Sequence, residues 1–261
     1  MIPADLLCFY DTRCECAASN PISVYNIRRW VVLVQPLELD LQHLQKEVWA
    51  LGLIVERAIV ESVDVLQQRP LGGSQPLIIL DHQITQKRLA IELDCINLIA
   101  AQHAPGDDLR TIAAMLEIAT ELGRIGDYIT DIAKIHFMLV RVEAPLLELF
   151  GDICLMATKT QSMLQRALEA LQRQDLALAR CVFVEDDEVD ALYDHVYLGL
   201  LASMGGRSRA VIKKMRYLSQ IARNLERAAD RVTNICEWIA FSLTGELALV
   251  GDEKIYQEDF V

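Results

Sequence analysis

Carboxylates spaced four residues apart are the side chains of this sequence best suited to chemistry. One pair is Asp186 and Asp190, and a second is Glu226 and Asp230. Since positions i and i+4 share a face of an α-helix, each pair would present its carboxylates side by side. Like charges at this spacing destabilise a helix. A cation that prefers oxygen ligands, held between two such helices, would offset this cost.

A second interpretation of the same region needs no metal. Three arginines form a ladder with the same spacing: Arg223, Arg227 and Arg231. They lie on the segment that also carries Glu226 and Asp230, and they could pair with acids on their own helix or across the bundle. The residues alone leave both possibilities open and favour the solvated ion-pair face.

Motifs of enzyme active sites are missing from the sequence. It contains no P-loop, no Gly-x-Gly-x-x-Gly, no Ser/His/Asp grouping and no Cys-x-x-Cys. Its five histidines are dispersed. No Glu-x-x-His pair of the kind found in ferritin-like di-iron proteins occurs. We therefore expect a protein that is not an enzyme.

Net charge and hydropathy limit the classes of partner that the protein is expected to bind. The chain of 261 residues has 25 Lys and Arg against 37 Asp and Glu, a net charge of −12. Such a balance disfavours nucleic acid and anionic lipid, and favours divalent cations or a basic patch on a protein. Mean hydropathy is +0.23, yet no uncharged apolar run approaches the roughly 18 residues of a membrane span. The acidic N-terminus does not resemble a signal peptide, and seven scattered cysteines indicate a cytoplasmic protein.

Helices must position the acidic residues, because apolar residues recur every three or four positions in long segments. From Ile212 to Ile239 this spacing forms a continuous apolar seam. No stretch alternates convincingly enough to predict a strand. We predict an all-α protein of six long antiparallel helices, bounded by Gly and Pro, over about 37–69, 77–104, 108–143, 146–173, 175–204 and 208–244.

The second half of the chain repeats the first. Arg, Asp, Thr and Ile of 124–133 recur in 227–236 at an offset of 103 residues. A repeated unit of this size predicts three helices per copy. We predict four parts: a poorly patterned N-terminal extension over 1–36, a first three-helix repeat over 37–143, a second over 146–245 and a C-terminal tail over 246–261.

These segments carry a resemblance to a known family. Leu122–Lys134 and Leu225–Glu237 resemble the third-helix signatures of the PhoU family, and Asp186–Tyr193 looks like its second-helix signature. The resemblance covers about 40–247 in the right order. It implies tandem three-helix bundles and a cytoplasmic negative regulator of the phosphate-starvation response. It also implies contact with the ATPase of the phosphate ABC transporter and with a phosphate-sensing histidine kinase, homodimerisation, and only peripheral contact with membrane complexes.

The same resemblance implies metal on acidic helices and reverses the preference for the ion-pair interpretation. The four positions that correspond to the family's metal-binding acids are all acidic in the second repeat: Asp186, Asp190, Glu226 and Asp230. The ion would be divalent or ferric, with iron, zinc, nickel, magnesium and calcium all candidates.

The first repeat departs from this pattern. Its corresponding positions are Asp81, Thr85, Gly123 and Asp127. Asp131 could partly compensate for the two missing acids. We expect a weaker or empty site there, formed by Asp81, Asp127 and Asp131.

Two other functions stay open. A PhoU-like accessory protein of a different phosphate or cation permease would share these motifs. A metal-storage bundle is a more remote alternative, because the Glu-x-x-His pairs are missing.

Overall fold

Six helices make up almost all of the part of the chain that the structure describes. A computed structural model describes residues 23–27, 30–34, 37–68, 75–102, 106–139 and 149–246. The helices are α1 (Leu37–Gln68), α2 (Gln75–Gln102), α3 (Gly106–Leu139), α4 (Phe150–Arg173), α5 (Leu176–Ala202) and α6 (Arg209–Thr244). The predicted all-α class is confirmed, and the predicted ends differ from the observed ones by a few residues.

Local sequence signals define several helix ends. The Asp175 carboxylate accepts a hydrogen bond from the backbone N–H of Leu178 at 3.0 Å and so caps the N-terminus of α5. At the end of α6, Gly245 has φ 78°, a left-handed conformation that glycine adopts without steric cost. Asp107 and Asp108 lie in the first turn of α3, which begins at Gly106, where negative charge favours the helix N-terminus.

Each half of the chain packs its three helices together. α1, α2 and α3 contact one another, as do α4, α5 and α6. The halves meet chiefly through α3 against α6, and secondarily through α1 against α4. α2 and α5 each contact only helices of their own half, within the described residues. This confirms two tandem, similar three-helix bundles, while the exact limits of the predicted repeats stay a prediction.

The core lies along α3 and α6, whose apolar seams are almost fully buried. Buried residues of α3 include Ile112, Met115, Ile118, Leu122, Ile125, Ile129 and Ile132, and those of α6 include Met215, Leu218, Ile221, Leu225, Val232, Ile235 and Ile239. Ile212, predicted as the start of the α6 seam, is instead 41% exposed. It lies in the first turn of α6, at the end of the bundle.

The expectation that no stretch forms a strand is wrong for residues 23–34. β1 (Ser23–Ile27) pairs antiparallel with β2 (Trp30–Val34), and Ile27 lies opposite Trp30. Both strands are rich in β-branched and aromatic residues, which favour a pleated strand. β2 is a continuous apolar run, so a search for alternation overlooks it. Within the described residues, the strands contact each other and none of the helices.

Other sequence-based expectations fall outside the described residues. Residues 1–22 of the predicted extension and 247–261 of the predicted tail are among these. No helix in the described part of the chain is long and apolar enough to cross a membrane.

Candidate functional site

The acidic pairs of α5 and α6 come together at the interface between these helices. One carboxylate oxygen from each of Asp190, Glu226 and Asp230 lies within 4.8 Å of the other two. Glu226 and Asp230 are half-buried, while Asp190 is exposed at the edge of the interface. The apolar seam explains this placement, since Leu225 and Ala229 are buried and each acid follows one of them.

Asp186 lies one turn before Asp190 on α5 and is the most desolvated member of the set. Its Oδ1 atom is buried and has no hydrogen-bond partner in the described part of the structure. Burial raises the pKa of Asp186 from 3.8 to about 7, and repulsion from Asp190 and Asp230 adds to the rise. An unpartnered buried carboxylate oxygen is costly, so this position calls for a cation or a proton.

The other three acids are perturbed in the same direction. Desolvation is the largest cause of the raised pKa of Asp190 and Glu226, and repulsion from Asp230 is the next. Desolvation also raises the pKa of Asp230, with Arg231 and Arg227 opposing it. Four carboxyl groups whose charged forms are all disfavoured make a region of strongly negative potential. We call Asp186, Asp190, Glu226 and Asp230 the acidic cluster.

Arg227 and Arg231 offset part of the pKa rise in the acidic cluster, but their guanidinium groups contact other residues. The guanidinium of Arg227 lies over the ring of Tyr128 on α3, 4.5 Å from its centroid. Arg231 donates to Glu121, also on α3, with Nη1 and Oε2 3.3 Å apart. Among the described residues, no Lys or Arg nitrogen lies within 4.0 Å of a carboxylate oxygen of the cluster. Arg231 therefore pairs across the bundle with Glu121, and the described residues form no ion pair with the acidic cluster.

Glu121 is a residue of this region that the sequence analysis missed. Its side chain is buried, and it also accepts a hydrogen bond from Arg124 at 2.6 Å. It neighbours the seam residue Leu122, which marks it as a carboxylate at the α3–α6 interface. Nothing in the sequence indicates that its partner would be Arg231, because this pairing depends on how the two halves dock.

The first repeat supplies its own cations. A Cβ atom on Gly123 would lie 2.3 Å from Cδ of Arg88, so the arginine stem occupies the space above this glycine. Arg88 pairs with Glu92 at 2.5 Å. Desolvation and repulsion from Asp81 raise the pKa of Asp127, and Arg88 opposes them.

The remaining predicted ligands of the first repeat also have protein partners. Asp81 accepts a hydrogen bond from the Thr130 hydroxyl at 2.9 Å. Asp131 pairs with Lys134 at 2.9 Å. Asp81, Asp127 and Asp131 do not bring three oxygens within 4.8 Å of one another, whereas the second repeat does. The arrangement differs between the repeats as the missing acids suggest, and a weaker first site stays a prediction.

Comparisons with known proteins agree with this duplicated architecture. The family model of the PhoU domain matches the chain twice, over 48–135 and 153–239. A relative from Clostridium acetobutylicum, described as a phosphate-specific transport system accessory protein PhoU homolog, is 30% identical over 216 residues. That match covers 82% of this chain and 97% of the relative. A relative from Caulobacter vibrioides with the same description is 33% identical, covering 79% of this chain and 89% of its own.

Solved structures show the same likeness. The crystal structure of PhoU from Pseudomonas aeruginosa superposes with a TM-score of 0.76 at 27% identity, and covers 81% of this chain and 100% of that one. The phosphate transport system regulatory protein PhoU from Streptococcus pneumoniae superposes with a TM-score of 0.75 at 26% identity, covering 82% and 99%.

Proposed function

Since the chain belongs to the PhoU family, we propose that it regulates phosphate uptake and represses the phosphate-starvation response when phosphate is plentiful. The observation that carries the proposal is the family match in both halves of the chain. The relatives are described as accessory proteins of the phosphate-specific transport system. An accessory role by contact, rather than catalysis, agrees with the lack of catalytic motifs in the sequence.

The proposed partners are the ATPase subunit of the phosphate transporter and the phosphate-sensing histidine kinase, both met at the cytoplasmic face. A chain with net charge −12 would be steered toward basic surfaces on these partners. Charge of this kind sets the rate and specificity of encounter more than the final affinity. We expect the protein to act as a homodimer.

Deletion of the gene in its host tests the regulatory proposal. A reporter of the phosphate-starvation response should become active in phosphate-rich medium, and a plasmid copy of the intact gene should silence it again. Normal repression with unchanged phosphate uptake, in a host without a second copy of the gene, would contradict the proposal. That outcome would favour an accessory role for a different phosphate or cation permease.

We also propose that the acidic cluster holds a metal ion. Its donors are carboxylate oxygens on two helices, and the buried Oδ1 of Asp186 has no partner in the described structure. A set of oxygen ligands without His or Cys suits hard cations such as magnesium, calcium or ferric iron better than zinc or nickel. A bound cation would neutralise the cluster and crosslink α5 to α6.

Elemental analysis of protein purified without chelator tests the metal proposal. The double variant Asp190→Ala with Asp230→Ala should lose its metal. A matched variant, Asp127→Ala with Asp131→Ala, removes the same charge from the first repeat and should keep most of it. Unchanged metal content in the first variant, or an equal loss in both, would contradict the assignment.

A further inference from the structure

The end of the second repeat, where α5 meets α6, carries a surface that the proposed function does not use. Four apolar side chains are exposed there: Leu198 at 62%, Leu201 at 44%, Met204 at 37% and Ile212 at 41%. All four lie within about one helical turn of the connection between α5 and α6, so they share one end of the bundle. Exposed apolar side chains grouped in this way are typical of an interaction surface.

Basic residues surround these apolar side chains. The segment 204–217 contains five of the 25 Lys and Arg of the chain and no Asp or Glu. Four are exposed: Arg207, Arg209, Lys213 and Arg216. None of these four has a carboxylate within 4.0 Å in the described part of the structure. We call the four apolar and four exposed basic residues the basic tip.

Charged and apolar groups of the basic tip lie side by side rather than in separate patches. Ile212 lines a shallow hollow of about 510 Å³ together with Arg209, Lys213 and Arg216. Tyr217, one turn after Lys213, has the Lys213 ammonium 5.9 Å from its ring centroid. Such a mixture presents phosphate-binding and apolar groups to the same partner.

The first repeat has a corresponding tip in which the charge is reversed. Its exposed apolar residues occupy equivalent positions at offsets of 103 to 105 residues: Leu93, Ile96, Ile99 and Leu109. Its charged residues at the start of α3 are Asp107, Asp108 and Arg110, and Arg110 pairs with Asp107. The duplication has therefore kept the apolar pattern at both tips and made only the second one basic.

The two tips lie at opposite ends of the molecule. Gly245, at the C-terminal end of α6, adjoins the Arg110 side chain near the start of α3. α3 and α6 are therefore antiparallel, and the 36 residues of α6 separate the tips by about 54 Å at about 1.5 Å per residue. A flat partner surface can meet the basic tip without meeting the acidic one.

We propose that the basic tip docks on the surface of an anionic lipid bilayer. Lipid phosphates attract the arginines and lysine, and the glycerol and upper acyl region accepts the four apolar side chains. A bilayer satisfies both groups without a geometrically matched partner. This contact goes beyond the proposed regulation, and it would place the protein beside a membrane transporter.

The net negative charge disfavours anionic lipid for the chain as a whole, but docking at the basic tip depends on the charges close to it. Glu226, the acidic-cluster member nearest to the basic tip along α6, is 13 residues from Lys213, or about 20 Å along the helix axis. The Debye length at physiological salt is about 8 Å, so charges at that distance are largely screened. Two acids outside the cluster lie closer to the tip: Asp194, one turn before Leu198, and Asp152, which contacts His195. The four exposed basic residues outnumber them, so the lipid surface still meets a net positive charge.

Vesicle flotation with the full chain tests the proposal. Vesicles of phosphatidylcholine alone are compared with vesicles containing about one third phosphatidylglycerol. The protein should float with the anionic vesicles only, and binding should fall as salt rises. Since one Lys or Arg near an anionic surface contributes about fivefold to binding, Arg209→Gln with Lys213→Gln should weaken binding about 25-fold.

Two further variants distinguish lipid docking by the basic tip from nonspecific hydrophobic adsorption. Leu201→Ser with Ile212→Ser should weaken anionic binding, while Ile96→Ser with Leu109→Ser on the opposite tip should leave it unchanged. Circular dichroism confirms that each variant is folded. Failure of the intact protein to float, equal binding to neutral vesicles, or equal effects of the two tips would overturn the proposal. An unaltered affinity of the Arg209 and Lys213 variant would do the same, and would leave a protein as the only partner for this tip.

Discussion

Asp186→Asn should stabilise the metal-free protein at alkaline pH. The substitution keeps the shape of the side chain and removes its charge from a site where burial raises the pKa from 3.8 to about 7. At about 1.36 kcal/mol per pKa unit, this rise corresponds to a penalty of about 4 kcal/mol for ionising the carboxyl in the folded protein. Because Asp186 is only half-buried, water screens part of the repulsion, and we expect a gain of about 2 kcal/mol.

The sign of the pH dependence follows from proton binding. The folded protein holds the Asp186 proton at a pH where the unfolded chain has released it, so ionisation costs stability as pH rises from about 4 to about 7. Below this window, wild type and variant should unfold at similar temperatures. Above it, the wild type bears the full penalty and the variant does not. A gain of about 2 kcal/mol should raise the melting temperature by about 4–8 °C for a chain of this size.

The assay is thermal unfolding followed by circular dichroism, in buffers from pH 4 to pH 8 that contain a chelator. Asp194→Asn is the matched control, because Asp194 is exposed two turns further along the same helix. It should change the melting temperature little at any pH. A variant Asp186→Asn that is no more stable than wild type at pH 8, or whose gain is the same at pH 4, would refute the electrostatic reasoning.

Three further substitutions test the packing around the site. Glu121→Ala should lower the free energy of unfolding by about 3 kcal/mol in chemical denaturation, because the partly buried Arg231 would lose its carboxylate partner. Glu121→Gln keeps a hydrogen-bond acceptor and should lower the free energy of unfolding by less. Thr85→Asp with Gly123→Glu gives the first repeat the acids it lacks, and elemental analysis should find more metal per chain than in the wild type. An unchanged metal content would show that Arg88, which lies above Gly123, still excludes the ion. Gly52→Ala should lower the free energy of unfolding by about 1–3 kcal/mol, because the new Cβ would clash with the Leu168 side chain of α4 and force α1 away from it. An unaltered melting temperature would contradict this and show that Leu168 adopts another rotamer.

The helices could be predicted because their signals are local. The apolar spacing of α6 from Met215 to Ile239 fixes which face is buried, and the buried residues follow it. The N-cap at Asp175 likewise needs only the three residues that follow it. The apolar spacing could not predict that Ile212 is exposed, because its exposure depends on where the neighbouring helices end.

The partners of the arginines could not be predicted from spacing. Helical periodicity places Arg227 and Arg231 beside the acids of α6, but it does not tell which helix packs against that face. Docking of the two halves brings Tyr128 and Glu121 of α3 to these arginines. Long-range packing therefore outweighs the pairing of neighbours on one helix, which contributes only a few tenths of a kcal/mol.

The two repeats differ in how far the protein's own cations offset their acidic residues. In the first repeat, Arg88 and Lys134 lower the cost of the carboxylates from within the protein. In the second repeat, Arg227 and Arg231 contact Tyr128 and Glu121 of α3 rather than the acidic cluster. The acidic cluster therefore keeps a negative potential. The interface between the repeats thus controls the site, although none of the proposed ligands lies on α3. A substitution on α3 that released these arginines would supply the cluster with an internal cation, and metal affinity would fall without the loss of any ligand.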